Sequence, residues 1–349
     1  MTSSNNASRY RPPQLPPADY AVITPYLVPA GLAKKVNVGD GFILDSATKL
    51  IGARPAAEFS SRAPLSDESI ERINANRCLV VVGANTLKDD FELTPGFDLK
   101  TLSRIKVPVA LMGVGHYGVA ALTRGMTPAS VALFRGFLER FPLMSVRCDA
   151  SWRYVAAALP DRAESLLMTS CPVVHAVDGI DCGFARKQRY RQLVVTVTDR
   201  ENLQAQLPLL SAGNQLFPAE RRILALHQDY GNAPLWDFAR QQGYEVFRSE
   251  DCQDFIRLYS ETDVHFGNRV HAHLKCLSNG VVSFLTPFDL RQACFAESLD
   301  FPLITQLPSP EFTDYDFNRV IQRCAKAKPA MDRFVSALQS IIQDSAHGN

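Results

Sequence analysis

Short apolar runs alternate with stretches of helical spacing along most of the chain. In the first half, strands are expected at Ala21–Ile23, Cys78–Gly83, Val107–Met112, Met144–Cys148 and Ser165–Met168. Helices are expected between them at Gly41–Ile51, Ala129–Phe141 and Ser151–Leu159. The chain then turns irregular and basic from about Cys171 to Arg191, with Arg186, Lys187, Arg189 and Arg191. A second alternation follows. Its expected strands are Leu193–Val197, Arg222–Leu226, Glu245–Phe247, Val264–Gly267 and Val281–Leu285, and its helices Pro234–Gln242, Gln253–Ser260, Val270–Ser278 and Leu290–Ser298. Two last helices, Asp316–Ala325 and Ala330–Gln343, have no strand to alternate with and suit a role packing across both halves.

Continuous apolar strands interleaved with helices predict parallel sheets covered on both faces. The expected fold is therefore α/β, with two doubly wound Rossmann-like domains, at 18–185 and 186–349, facing a cleft where such sheets bind ligands. This plan resembles the glycosyltransferase-B architecture. The first domain is expected on the acceptor side and the second on the donor side. Residues 1–17, rich in Ser, Asn and Pro, read as a disordered tail without the apolar segment of a signal peptide.

Chemistry concentrates at Gly267-Asn268-Arg269-Val270-His271, where an apolar strand runs into a helix. Helix N-termini favour anions, Arg grips carboxylate or phosphate with paired hydrogen bonds, and His exchanges a proton near neutral pH. His273 points about 200° away from His271 on a helix, so the pair suits a metal poorly. Asn37-Val38-Gly39-Asp40-Gly41 precedes another apolar helix. Asp40 there is either its N-cap or a carboxylate able to take a proton from a hydroxyl. Gly113-Val114-Gly115-His116-Tyr117-Gly118 follows a strand but lacks the prompt helix and acidic residue of a dinucleotide site. It reads as a ligand-facing loop carrying His116, or as a plain turn. Arg147 ends a strand with Ser151 close behind, which predicts an anion partner or a salt bridge to Asp149 or Asp161. Arg291 at a later strand-to-helix junction either joins the Arg269 site or is a surface residue. His175, His227 and His265 sit among apolar residues and read as satisfied core or loop histidines.

Taken in order, these pieces resemble the polysaccharide pyruvyl transferase family over about residues 20 to 300. The resemblance rests on the Asn-x-Gly-Asp entry (Asn37, Gly39, Asp40), the glycine loop with His116, the strand-end Arg147 with Ser151, and the Arg-x-His helix start, Arg269 and His271. It implies transfer of a pyruvyl unit from phosphoenolpyruvate to a sugar or glycan acceptor, free or lipid-linked, giving a ketal and phosphate. It also implies that Arg147, Arg269 and Arg291 bind the donor, with His271 as acid, Asp40 as base, and Asn37, Gly39, His116 and Ser151 as acceptor or loop contacts. The family often carries Asp where this chain has Cys148 and Cys171, which leaves open a changed acceptor or a changed base. The alternatives are a nucleotide-sugar glycosyltransferase of the same architecture and a catalytically inactive anion-binding relative.

Composition narrows the choice. Lys and Arg number 37 against 36 Asp and Glu, a net charge of +1, so no nucleic-acid footprint is expected. No apolar run approaches the ~20 residues of a membrane helix. Eight scattered cysteines without zinc-like spacing predict reduced thiols in the cytoplasm and no metal. No cofactor is expected.

Overall fold

Two parallel sheets carry the chain. In the first, β1 (Pro17–Thr24), β2 (Arg54–Ser60), β3 (Cys78–Val82), β4 (Val109–Val114), β5 (Met144–Val146) and β6 (Leu166–Met168) lie in the order β2-β1-β3-β4-β5-β6. In the second, β7 (Tyr190–Thr196), β8 (Ala219–Leu226), β9 (Glu245–Arg248), β10 (Val264–Gly267) and β11 (Val282–Leu285) lie in the order β11-β10-β7-β8-β9. Every neighbouring pair is parallel. This computed structural model describes residues 14–33, 35–83, 85–116, 124–175, 188–198, 203–307 and 315–343. Residues 1–13 of the expected tail, with Tyr117, Gly118, Cys182, Arg186 and Lys187, lie outside the described residues, while Pro17 of that span already belongs to β1 and Pro16 accepts from Arg54 N–H (2.8 Å).

The strands form where apolar residues run without interruption. Every residue of β3 and of β4 is buried, as a sheet covered on both faces demands. Helices α1 (Val38–Ile51), α2 (Asp67–Asn74), α3 (Leu99–Arg104), α4 (Pro128–Arg140) and α5 (Asp149–Ala158) alternate with the first sheet. The second alternates with α6 (Leu203–Leu216), α7 (Ala233–Gln241), α8 (Cys252–Ser260), α9 (Val270–Ser278) and α10 (Leu290–Leu299). Their starts follow local chemistry: Ser66, Asp98, Thr127 and Asp251 each cap a helix by accepting from a first-turn N–H. Parallel strands need right-handed crossovers, and reversal of strand order puts helices on both faces. The reversals fall between β1 and β3 and between β7 and β10. Both sheets are doubly wound and Rossmann-like.

The chain divides into two compact units. One comprises Pro12–Leu32, Ile43–Ala176 and Cys324–Asn349, around the first sheet. The other comprises Ala33–Phe42 and the described part of Val177–Arg323, around the second. The Asn37–Asp40 segment thus makes its contacts with the second sheet: Val38 N–H donates to the His227 carbonyl (3.1 Å), and the Phe42 ring meets His227 edge-on at 5.4 Å. The boundary expected at 185/186 assigns this segment to the first domain instead.

Other elements differ from expectation for physical reasons. β2 carries Pro55 and lies at the sheet edge, where a missing N–H is tolerated, so its pattern is masked. α2 and α3 are short, and α6 contains Pro208, which obscures its helical period. The two expected C-terminal helices are one, α11 (Asn318–Gln343), running through Pro329. Pro329 is exposed, so the carbonyl it leaves without an N–H faces solvent rather than the core, and buried Val320, Cys324, Ala327, Met331, Phe334 and Leu338 continue one stripe past it.

The interior of the second sheet holds a polar chain. His265 on β10 bonds Thr196 through Nε2 (2.9 Å) and Ser283 through Nδ1 (2.7 Å), and Ser283 Oγ also meets His273 Nδ1 (2.7 Å). Burial holds the His265 imidazole down at about 3, and His273 and His227 well below their ordinary 6.5. The unfolded chain protonates these rings near ~6.5, so below that pH it binds more protons than the folded state. The stability they permit is fully present above pH ~6.5 and is lost as pH falls toward the folded values. Circular dichroism melts from pH 8 to pH 4 are expected to show a level Tm down to about pH 7 and a progressive fall below it. A Tm that holds to pH 4 contradicts this account.

Candidate functional site

The carboxyl end of β10 leaves the sheet through Gly267, whose φ is +150°. A Cβ there would overlap the Thr196 carbonyl oxygen of β7, so only glycine lets the two strand ends come this close. Asn268 N–H then donates to that carbonyl (3.0 Å). Its side chain accepts from Thr198 Oγ1 (3.2 Å) and donates to Gln206 Oε1 (2.6 Å). Gln292 of α10 donates to the Asn268 carbonyl (2.9 Å). The turn is therefore tied to β7, α6 and α10 before the helix begins.

Arg269 occupies the N-cap of α9, and no side chain caps that helix. Its Nε donates to the Val197 carbonyl (3.1 Å) and one terminal nitrogen to Gln228 Oε1 (3.3 Å). Both of these acceptors are neutral, and they hold the guanidinium in place. Asn37, Thr198, His227, Asn268, Arg269, Val270, His271 and Arg291 line one pocket. It lies outside the β7/β10 switch point, where doubly wound sheets take their ligands. No carboxylate is among these lining residues. The starts of α1, α9 and α10 each contribute to the wall, and their dipoles add positive potential.

Among the expected site residues, Arg269, His271, Arg291 and Asn37 meet at this pocket. Arg291 is not a surface residue: its side chain is 24 % exposed and is held by Asp289, which caps α10. Asn37, not Asp40, takes the cap position of α1, with Oδ1 accepting from Gly39 N–H (3.3 Å). Asp40 stands in the first turn, largely buried and outside the pocket lining. Gly39 lies against His271: a Cβ there would sit 3.1 Å from Nδ1. His227 is buried as expected, its Nε2 2.6 Å from Tyr259 Oη, yet it also forms part of the pocket wall. Burial and the Arg269 charge keep its ring neutral.

Arg147, His116 and Ser151 meet in the other unit. Arg147 is buried, and donates to Asn85 Oδ1 and to the His116 carbonyl (3.2 Å). Asp161 pairs instead with Arg135 (2.7 Å). The guanidinium lies on Gly115, where any Cβ would overlap it. Gly113, at φ +65°, likewise leaves room for the Pro172 ring, 2.6 Å from where its Cβ would sit. The glycines of this loop thus make space for Arg147 and Pro172. Ser151 Oγ accepts from His116 N–H (2.9 Å) and lies 3.0 Å from Cys148 Sγ. The His116 ring packs on Tyr154 at 4.3 Å, and Tyr154 Oη donates to Asp89 (2.6 Å). Burial lowers the His116 pKa from its ordinary value, with Arg147 adding to the effect and Asp89 opposing it.

Thr198, Asn268 and Asn85 were not singled out from the sequence. Asn268 adjoins Arg269 and Thr198 follows the first strand of its sheet, so the switch-point rule would have found both. Nothing local marks Asn85. No group of three or more His, Cys, Asp or Glu suited to a metal occurs among the described residues.

Residues 37–286, more than two thirds of the chain, match the family model Polysaccharide pyruvyl transferase. The chain belongs to that family. No curated protein matches it. Among solved structures, the wall teichoic acid polymerase TagF is 12% identical over 93% of this chain and 88% of its own, at a TM-score of 0.46. The UDP-GlcNAc 2-epimerase of Neisseria meningitidis, bound to UDP-GlcNAc, is 12% identical over 84% and 88%, at 0.45. A Listeria monocytogenes protein described as a UDP-N-acetylglucosamine 2-epimerase is 11% identical over 88% and 87%, at 0.49. Likenesses at these levels decide nothing about chemistry. Family membership does make this chain part of a transferase family of polysaccharide synthesis, and no helix among the described residues is long and apolar enough to cross a membrane.

The packing of Gly115 on Arg147 gives a direct test. Gly115→Ala is expected to destabilise by about 1–3 kcal/mol through overpacking. In the Arg147→Met background the same change is expected to cost less, by a coupling of about 0.5–3 kcal/mol in urea unfolding. Strict additivity of the two substitutions contradicts the contact.

Proposed function

We propose that the protein transfers a pyruvyl group from phosphoenolpyruvate to a sugar of a polysaccharide or glycan precursor. The observation that carries this is the switch-point pocket: two arginines, an imidazole and an uncapped helix start, with no carboxylate in the lining. Phosphoenolpyruvate presents a carboxylate and a phosphate on a three-carbon frame, which suits Arg269, Arg291 and the α9 N-terminus. Within its own unit Arg147, which donates to Asn85 and the His116 carbonyl, is an anion ligand in this reading with His116 and Ser151 beside it, and Asn37 and Gly39 are acceptor or loop contacts.

In the first step one sugar hydroxyl forms a bond to C2 of the donor as the C2–C3 double bond breaks. C3 takes a proton from His271, and the hydroxyl proton passes to Asp40. A second hydroxyl of the same sugar then replaces the phosphate at C2, closing the ketal and releasing inorganic phosphate with the second proton. Positioned acid–base catalysis of this kind contributes about 10²–10⁴-fold, and charge neutralisation by preorganised donors supplies more.

Calorimetric titration with phosphoenolpyruvate is expected to give saturable binding that weakens about 10–100-fold in Arg269→Ala, as befits loss of charge-assisted hydrogen bonds. His271→Gln is expected to keep that affinity within a few-fold and to lose about 10²–10⁴-fold in phosphate release with an acceptor present. Binding of uridine diphosphate in place of phosphoenolpyruvate overturns the reading in favour of a nucleotide-sugar glycosyltransferase. Binding of phosphoenolpyruvate without any phosphate release across an acceptor screen favours an inactive relative.

A further inference from the structure

A second cavity adjoins the anion pocket, and pyruvyl transfer as described leaves it unused. It encloses about 340 Å³ and is lined by Lys35, Val36, Asp229, Arg248, Ser249 and Glu250. The two cavities are joined through the chain itself. Val36 leads directly into Asn37, and His227 leads through Gln228 to Asp229, with Asn37 and His227 lining the anion pocket. Gln228 also accepts from Arg269 (3.3 Å). The volume lies within the range that holds small ligands.

Its chemistry is unlike that of its neighbour. Two carboxylates, Asp229 and Glu250, alternate with two cations, Lys35 and Arg248, so a phosphate would meet as much repulsion as attraction. Hydroxyl groups suit such a wall, since each can donate to a carboxylate and accept from an ammonium or guanidinium. The donor and acceptor are also held in place. Arg248 lies over the Trp236 ring at 4.3 Å and pairs with Asp229 Oδ2 at 3.3 Å, while Asp229 Oδ1 accepts from Gly231 N–H (2.9 Å). The position is informative as well. Asp229 stands just beyond β8, the second strand of its sheet in chain order. In dinucleotide-binding sheets of this winding an acidic residue there holds the ribose hydroxyls while the anion sits at the switch point.

We infer that this cavity is a subsite for a neutral sugar ring, held by vicinal hydroxyls on Asp229, Glu250 and Arg248 beside the anion pocket. It rests on the pyruvyl-transfer reading only in taking the ring to be part of the acceptor. A ribose of a nucleotide presents the same diol, and the test separates the two sources.

Saturation-transfer NMR is run on the full chain with the methyl α-pyranosides of glucose, galactose and mannose in one arm and uridine in the other. Cyclohexanemethanol serves as the diol-free control. At least one arm is expected to give saturable binding that weakens about tenfold in Asp229→Asn or Glu250→Gln, whereas the control gives none. The same variants are expected to keep the wild-type Tm and phosphoenolpyruvate affinity, which separates a lost contact from a lost fold. A hexoside signal assigns the subsite to an acceptor glycan, and a uridine signal alone assigns it to a nucleotide; both support a sugar subsite. Binding in neither arm, or binding indifferent to both substitutions, overturns the inference. Failure of phosphoenolpyruvate to bind counts against pyruvyl transfer and leaves the sugar result to stand by itself.

Discussion

β10 can end against β7 only because residue 267 has no side chain. The Thr196 carbonyl occupies the space a Cβ would need, and the same carbonyl accepts the Asn268 N–H that fixes the turn. Everything chemical in this unit depends on that approach. It sets the first residue of α9, so Arg269 falls at the N-cap and His271 in the first turn. It also aims the uncapped helix start across the mouth of the switch point, where the β7 end contributes Val197 and Thr198. A residue with a Cβ at this position would have to move one strand end, and the pocket would lose its register.

The electrostatics follow from a division between rim and interior. His227, His265 and His273 are kept neutral by burial, and Arg269 adds to that effect at His227. The Thr196–His265–Ser283–His273 chain gives β10, β11 and α9 a hydrogen-bonded polar core, beneath a rim that carries the positive charge. Low local dielectric strengthens each bond of such a chain. Such a core supports the α9 start, where Arg269 and His271 stand.

The thiols of the first unit carry a different message. Burial pushes Cys171 up to about 11, against a lesser downward pull from Arg147, so it is a neutral thiol at ordinary pH. Cys148 is buried with its sulfur on Ser151, whose hydroxyl accepts the His116 N–H.

Much of this was legible in the residues because it is local. Continuous apolar runs such as Cys78–Val82 and Val109–Val114 can only be strands covered on both faces, so the α/β class and most helices followed from pattern. Gly-x-Arg-x-His beside a strand placed an Arg and a His at one helix start, since its parts lie within one turn of each other. What local pattern could not reveal depends on distant segments meeting. The exposed face of Pro329 decides that α11 is one helix, and edge position decides that Pro55 lies in a strand. Arg147 rests on Gly115 and reaches Asn85 from another loop. Asn37 rather than Asp40 caps α1, and that segment packs against His227, far along the chain. The sequence by itself determined which groups carry charge and which runs form strands, because both are properties of neighbouring residues. Only the tertiary structure decided which of those groups share a pocket, because strand order and burial set the distance and dielectric between residues the chain keeps far apart.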